Sequence, residues 1–215
     1  MIENYDGAEV TSISFSREVP QPPAERRGRQ RYMSVLRAAK LTRHHREELC
    51  LVRNISAGGL MAHVYSPLDP GEPIAVELKT GHALTGSVVW FTELMIGVQF
   101  TAEIDVLHHL ADIQEEQADR PARRLPRLQI QGQARMRTGL THQRVQYYDI
   151  SQGGMKIRMP DGAAVDDQVV IVIDGLDTLH GEIRWRQGEY GEVAFMHPLA
   201  FETLAQWAAT RDPVA

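Results

Sequence analysis

Two short groups of residues in this chain have the types and the spacing to grip a small anion. In the first, Arg27-Gly28-Arg29-Gln30-Arg31 precedes Asn54-Ile55-Ser56-Ala57-Gly58-Gly59. In the second, Arg123-Arg124-Leu125-Pro126-Arg127 precedes Asp149-Ile150-Ser151-Gln152-Gly153-Gly154. Arg31 stands 23 residues before Asn54 and Arg127 stands 22 before Asp149, so one strand hairpin returns each arginine pair to its partner group. Guanidinium makes bidentate, charge-assisted hydrogen bonds to phosphate, matches the O6 and N7 edge of guanine and stacks on a base. An Asp or Asn side chain accepts from guanine N–H groups, and a Ser hydroxyl is a compact phosphate donor. A glycine pair permits a tight turn with φ > 0 and lets backbone N–H groups come close to a ligand. Each piece alone is commonplace, and Ser-x-Gly-Gly by itself reads as a plain hairpin turn. The joint pattern, present twice at matched spacing, points to sites for something small and anionic.

The elements that must position these groups also repeat. Gly86-Ser87-Val88-Val89-Trp90 parallels Gly181-Glu182-Ile183-Arg184-Trp185. Gly97-Val98-Gln99-Phe100 parallels Gly191-Glu192-Val193-Ala194-Phe195, with one extra residue inside the second copy. Ser56 to Trp90 and Ser151 to Trp185 are both 34 residues, and each Trp stands 10 before its Phe, so a module is duplicated at an offset of 95. Each copy shows five or six short apolar or alternating runs separated by turn residues. Copy one has them near 34–40, 48–53, 59–65, 74–79, 84–91 and 95–100, and copy two near 128–136, 145–150, 155–159, 169–173, 179–185 and 192–196. That many strands in so few residues predict a mainly β chain of two tandem six-stranded barrels, which leave no open sheet edge. Helical spacing after Phe100 and after Met196 predicts a C-terminal helix on each barrel. The expected domains are a flexible arm over 1–24, a first barrel domain over 25–118 and a second over 119–215. Trp90 and Trp185 fall inside apolar runs and are expected to anchor the barrel cores.

Composition narrows the function. With 43% hydrophobic and 24% charged residues the chain is globular and not disordered. Its formal net charge of −5 argues against a surface that coats DNA or RNA. Basic residues nevertheless gather in two islands, nine from Arg26 to Arg53 and seven arginines without an acid from Arg120 to Tyr148. No apolar run is long enough to span a bilayer and no secretory signal opens the chain, so a cytoplasmic protein without membrane insertion is expected. Cys50 is the one cysteine and sits in an apolar run, which reads as a buried small hydrophobe. His44-His45 and His108-His109 point to alternate faces and read as solvated residues, not metal ligands. No nucleophile elbow, phosphate loop or zinc-protease motif is present, so no catalytic residue, metal or cofactor is expected and the chain reads as a non-enzyme.

The arginine pair followed by Asp/Asn-x-Ser-x-x-Gly, with the later Gly-x-x-x-Trp and Gly-Val-x-Phe strands, resembles the PilZ domain family from Glu25 onward. The resemblance implies a receptor for cyclic di-GMP whose six-stranded barrel carries the ligand. It implies that Arg123, Arg127, Asp149, Ser151 and Gly154 contact the nucleotide in copy two, and Arg27, Arg31, Asn54, Ser56 and Gly59 in copy one. It also implies that the arginine segment closes over the ligand; because the second arginine pair lies in the linker between the barrels, binding is expected to change the angle between them, and an unidentified protein partner is expected. The competing function is a degenerate PilZ-like adaptor that regulates a partner without nucleotide; the retained arginine pairs weigh against it. Copy two is expected to be the tighter site. Pro126 stiffens its arginine segment, Asp149 is a full anion where Asn54 is neutral, and no acid lies near its arginines in sequence whereas Glu25, Glu47 and Glu48 flank those of copy one.

Overall fold

A computed structural model describes residues 32–44, 46–79, 82–106 and 126–211, with the backbone path alone for 32–36 and 79. The arm over 1–24, Arg27, Arg31, Arg123 and the first expected helix beyond Val106 lie outside the described residues.

Period-two alternation of Val, Ile, Leu and Met with polar residues makes strands, and the chain closes them into two antiparallel barrels. In the first, β1 (Tyr32–Arg43), β2 (Arg46–Ser56), β3 (Gly59–His63), β4 (Pro73–Lys79), β5 (His82–Thr92) and β6 (Met95–Phe100) run in the order β1-β2-β3-β6-β5-β4, and β4 pairs back onto β1. Val52, Ile55, Val76, Val88, Ile96 and Val98 fill its interior, and Cys50 is fully buried among them as expected. Burial, with the nearby Glu48 carboxylate, pushes the Cys50 thiol up to about 12.

In the second barrel the expected first strand is broken. β7 (Arg127–Leu128) is a two-residue strand, and β8 (Gly132–Thr138) follows it along the same neighbour. With β9 (Thr141–Ser151), β10 (Gly154–Arg158), β11 (Gln168–Val172), β12 (Leu179–Gln187) and β13 (Tyr190–Phe195) the ring is β8-β9-β10-β13-β12-β11, closed by β11 on β8, and β7 extends the row of β8 on β9. Helix α1 (Phe201–Ala209) then covers the second barrel. Its buried face is Leu204, Ala205, Trp207 and Ala208, and the Trp207 indole N–H donates to the Asp174 carbonyl at 3.0 Å.

The two barrels share their irregularities as well as their order. Between β2 and β3 the register slips at Arg53, and between β9 and β10 it slips at Tyr148, which is 95 residues on. Between β5 and β6 it slips at Val89, and between β12 and β13 at Arg184, again 95 apart. A bulge sets two residues against one and reverses the inward-outward phase of everything after it. That reversal corrects one expectation. Trp90 and Trp185 each follow a bulge, so they stand on the outer surface, 41% and 37% exposed, and do not anchor the cores.

Leu49 is buried with the second barrel's cluster, not with its own. Beside it the rings of Tyr65 and Phe201 meet edge to face at 6.0 Å. Arg46 donates to the carbonyls of Ala208 and Ala209 at the end of α1, where the helix dipole favours a cation. The Glu47 carboxylate accepts the backbone N–H of Gln129 at 2.6 Å. The first barrel thus grips the chain two residues after Arg127.

Candidate functional site

The site grows from the hairpin between β9 and β10. Ser151 pairs with Gly154 across a two-residue loop, and the serine hydroxyl donates to the Gly154 carbonyl at 3.1 Å. The hairpin is tied from outside, because the loop carbonyls of Gly153 and Gln152 accept the N–H groups of Phe195 and Leu199. The β2–β3 hairpin repeats every one of these bonds. Ser56 Oγ donates to the Gly59 carbonyl at 3.1 Å, and Gly58 and Ala57 accept from Phe100 and Ile104.

One expectation for this turn needs correction. Neither Gly59 nor Gly154 has a positive φ. They are glycines because a Cβ there would lie 2.1 Å from the Val98 carbonyl oxygen, or 2.5 Å from that of Val193, on the adjoining strand. In both copies the serine hydroxyl closes its own turn.

On the outer face beside the second hairpin, four strands set four side chains in a row. Register pairs Asp149 on β9 with Lys156 on β10, Lys156 with Glu192 on β13, and Glu192 with Trp185 on β12. Asp149 is buried, and its Oδ1 accepts the Lys156 backbone N–H at 3.1 Å. Arg127, on β7, reaches across from the next edge of β9. Its Nη1 donates to Asp149 Oδ1 at 2.5 Å and its Nη2 to Glu192 Oε1 at 2.5 Å. The second Glu192 oxygen accepts the Trp185 indole N–H at 2.6 Å. Burial works against the charged guanidinium, but Asp149 and Glu192 outweigh it and hold Arg127 above its ordinary value. With the Arg127 side chain 35% exposed, such a pair stabilises the fold by only about 1 kcal/mol. Its consequence is orientation: the guanidinium plane is fixed beside the hairpin.

A cationic and aromatic group adjoins this row. The Lys156 ammonium sits 4.7 Å from the Tyr190 ring centre, and Tyr190 meets Tyr148, the bulged residue of β9, edge to face at 5.3 Å.

The structure therefore brings together Arg127, Asp149, Ser151 and Gly154 of the second group. In the first group it brings together Asn54, Ser56 and Gly59, with Asn54 in the bulged register of β2, while Arg27 and Arg31 lie outside the described residues. The sequence reading missed Glu192 and set Trp185 in the core. The signal for Glu192 was present. At the constant offset of 95 it replaces Gly97, and the register shows no extra residue: β3 pairs Met61 with Gly97 as β10 pairs Lys156 with Glu192. No acid lies from Arg120 to Tyr148 in sequence, but the fold brings Glu192 to Arg127 from 65 residues away in the chain. Of the acids near copy one, Glu47 and Glu48 lie among the described residues. Glu47 pairs with Lys40 and accepts the Gln129 N–H, and the buried Glu48 accepts from Arg43 and Ser66 and forms an ion pair with Arg46. Among the described residues no cluster of His, Cys, Asp and Glu could hold a metal, and no helix is long and apolar enough to cross a membrane.

The sequence model of the PilZ domain matches residues 25–115 and again 121–207. No curated protein matches the chain in sequence. Among solved structures, the Borreliella burgdorferi PlzA protein in complex with c-di-GMP is similar at 11% identity over 87% of this chain and 96% of its own, with a TM-score of 0.39. The Bacillus subtilis inhibitor of motility MotI/DgrA is similar at 12% identity over 82% and 96%, with a TM-score of 0.30. Escherichia coli YcgR in complex with c-di-GMP gives 12% identity over 76% of each chain and a TM-score of 0.26.

Proposed function

Because the chain belongs to the PilZ domain family in both of its copies, we propose that it is a cyclic di-GMP receptor that changes its interdomain arrangement on binding and is read by a protein partner. One observation carries the reading: Arg127 and Asp149, 22 residues apart, meet at 2.5 Å on the outer face of the serine-glycine hairpin. Guanidinium and carboxylate side by side offer bidentate donors for phosphate or for the O6 and N7 edge of guanine, and acceptors for guanine N–H groups. Arg123 and Arg127 serve as the arginine clamp, and Asp149, Ser151 and Gly154 as the floor. Arg27, Arg31, Asn54, Ser56 and Gly59 make the matching set in the first barrel.

The interdomain part of the proposal follows from where the clamp is attached. Leu128 is buried and Gln129 is held by Glu47 of the first barrel, so a ligand that draws the 123–127 segment inward pulls on the contact between barrels. Calorimetric titration of the whole chain with cyclic di-GMP tests the reading, with saturable binding expected. Loss of that binding is expected when Arg27, Arg31, Arg123 and Arg127 are all changed to Ala. Intact affinity in that variant would overturn the site assignment, and absence of binding to the unaltered chain would overturn the receptor function. Identical small-angle scattering with and without saturating nucleotide would overturn the interdomain change.

A further inference from the structure

We propose that Glu192 sets the affinity of the second site, its carboxylate competing with the phosphate of the ligand for Arg127. The inference rests on the receptor reading and adds a residue that the arginine and serine-glycine groups do not contain. Glu192 is held on both sides: Oε1 takes the Arg127 guanidinium at 2.5 Å, and Oε2 takes the Trp185 indole N–H at 2.6 Å. Its place in the row Asp149, Lys156, Glu192, Trp185 is fixed by strand register, so the pairing is built into the sheet.

A phosphate approaching Arg127 meets a guanidinium already shared by two carboxylates. A bidentate contact made on the Nη2 side competes with Glu192 for that nitrogen, and any phosphate contact there forms against the repulsion of the Glu192 carboxylate. Among the described residues of the first barrel, no acid stands at the position that matches Glu192. Gly97 stands at the corresponding register position, and the Trp90 indole nitrogen lies 2.1 Å from where its Cβ would be, so the ring fills the space that a glutamate side chain takes in copy two. One bulged Trp site therefore comes in two versions, with the indole over glycine in copy one and bonded to an acid in copy two. Displacing Glu192 also frees the Trp185 indole, which ties ligand binding to a local optical and magnetic signal.

Glu192→Gln tests this, because it keeps the volume and an acceptor for Trp185 while removing the charge. In calorimetric titrations of the full chain, Glu192→Gln is expected to tighten cyclic di-GMP binding at the second site on the order of fivefold. In an Arg127→Ala background the same change is expected to have no effect. Unchanged or weaker binding in Glu192→Gln, or equal tightening with and without Arg127, would overturn the proposal. Inorganic pyrophosphate is the second probe, followed by the Trp185 indole and Arg127 guanidinium resonances, with Trp185→Phe assigning the former. Competition requires pyrophosphate to shift these resonances at lower concentration in Glu192→Gln than in the unaltered chain, and equal midpoints would overturn it. If pyrophosphate behaves as expected while cyclic di-GMP fails to bind either chain, the competition stands and the receptor reading falls.

Discussion

The two barrels share strand order, bulge positions and the bonds that tie the serine-glycine hairpin, yet they differ on the outer face beside that hairpin. In the first barrel Trp90 lies over Gly97; in the second Trp185 donates to Glu192, which in turn holds Arg127. The difference teaches that the duplicated backbone is a frame, set by registers and bulges, while the outward side chains at a few register positions decide how a frame behaves. The frame is costly to alter because close approaches of backbone enforce it. Of the outward positions, Trp90 and Trp185 are 41% and 37% exposed, so the fold constrains them less.

The largest effect that could break this comparison comes from the arginine pairs. Arg123→Ala with Arg127→Ala is expected to cost more affinity for cyclic di-GMP than Arg27→Ala with Arg31→Ala, each lost bidentate contact costing about 2–5 kcal/mol. Asp149 is buried and already oriented by the Lys156 N–H, an advantage that neutral Asn54 does not have in charge, and Glu192 reduces the margin without reversing it. Calorimetry on the two double variants decides, and a larger loss from the first-barrel pair would reverse the ranking.

A smaller effect probes the shared frame. Gly59→Ala and Gly154→Ala each force a methyl group against a neighbouring carbonyl, at 2.1 Å and 2.5 Å. Each is expected to destabilise its barrel by about 1–3 kcal/mol in urea unfolding, Gly59→Ala more than Gly154→Ala. If either change were neutral, the close strand approach would not be what requires glycine there.

The smallest effect concerns the tryptophans. Trp90→Phe and Trp185→Phe are both expected to shift stability by less than about 1 kcal/mol, because surface positions away from buried networks tolerate substitution. Trp185→Phe also removes a hydrogen bond to a charged carboxylate, so of the two it is expected to change ligand affinity. A loss in thermal unfolding as large as the about 3–5 kcal/mol typical of truncating a buried aromatic would return these rings to the core.

The sequence by itself determined the duplication, the strand count of each barrel, the burial of Cys50, and the grouping of Arg127 with Asp149, Ser151 and Gly154. These follow from short-range pattern: alternation makes strands, and a constant offset of 95 repeats them. What alternation could not reveal is a bulge, since one unpaired residue leaves the apolar run intact while reversing which face it shows. That is why Trp90 and Trp185 read as core and stand outside. Pattern also could not reveal that the glycines of the hairpins answer to the carbonyls of Val98 and Val193, or that the serine hydroxyls close their own turns. The meeting of Arg127 with Glu192, and the grip of Glu47 on Gln129, join residues 65 and 82 apart in the chain. Only barrel closure and the packing of one barrel on the other bring such residues within hydrogen-bond reach, because lateral strand register, and not sequence neighbourhood, sets which side chains share a surface.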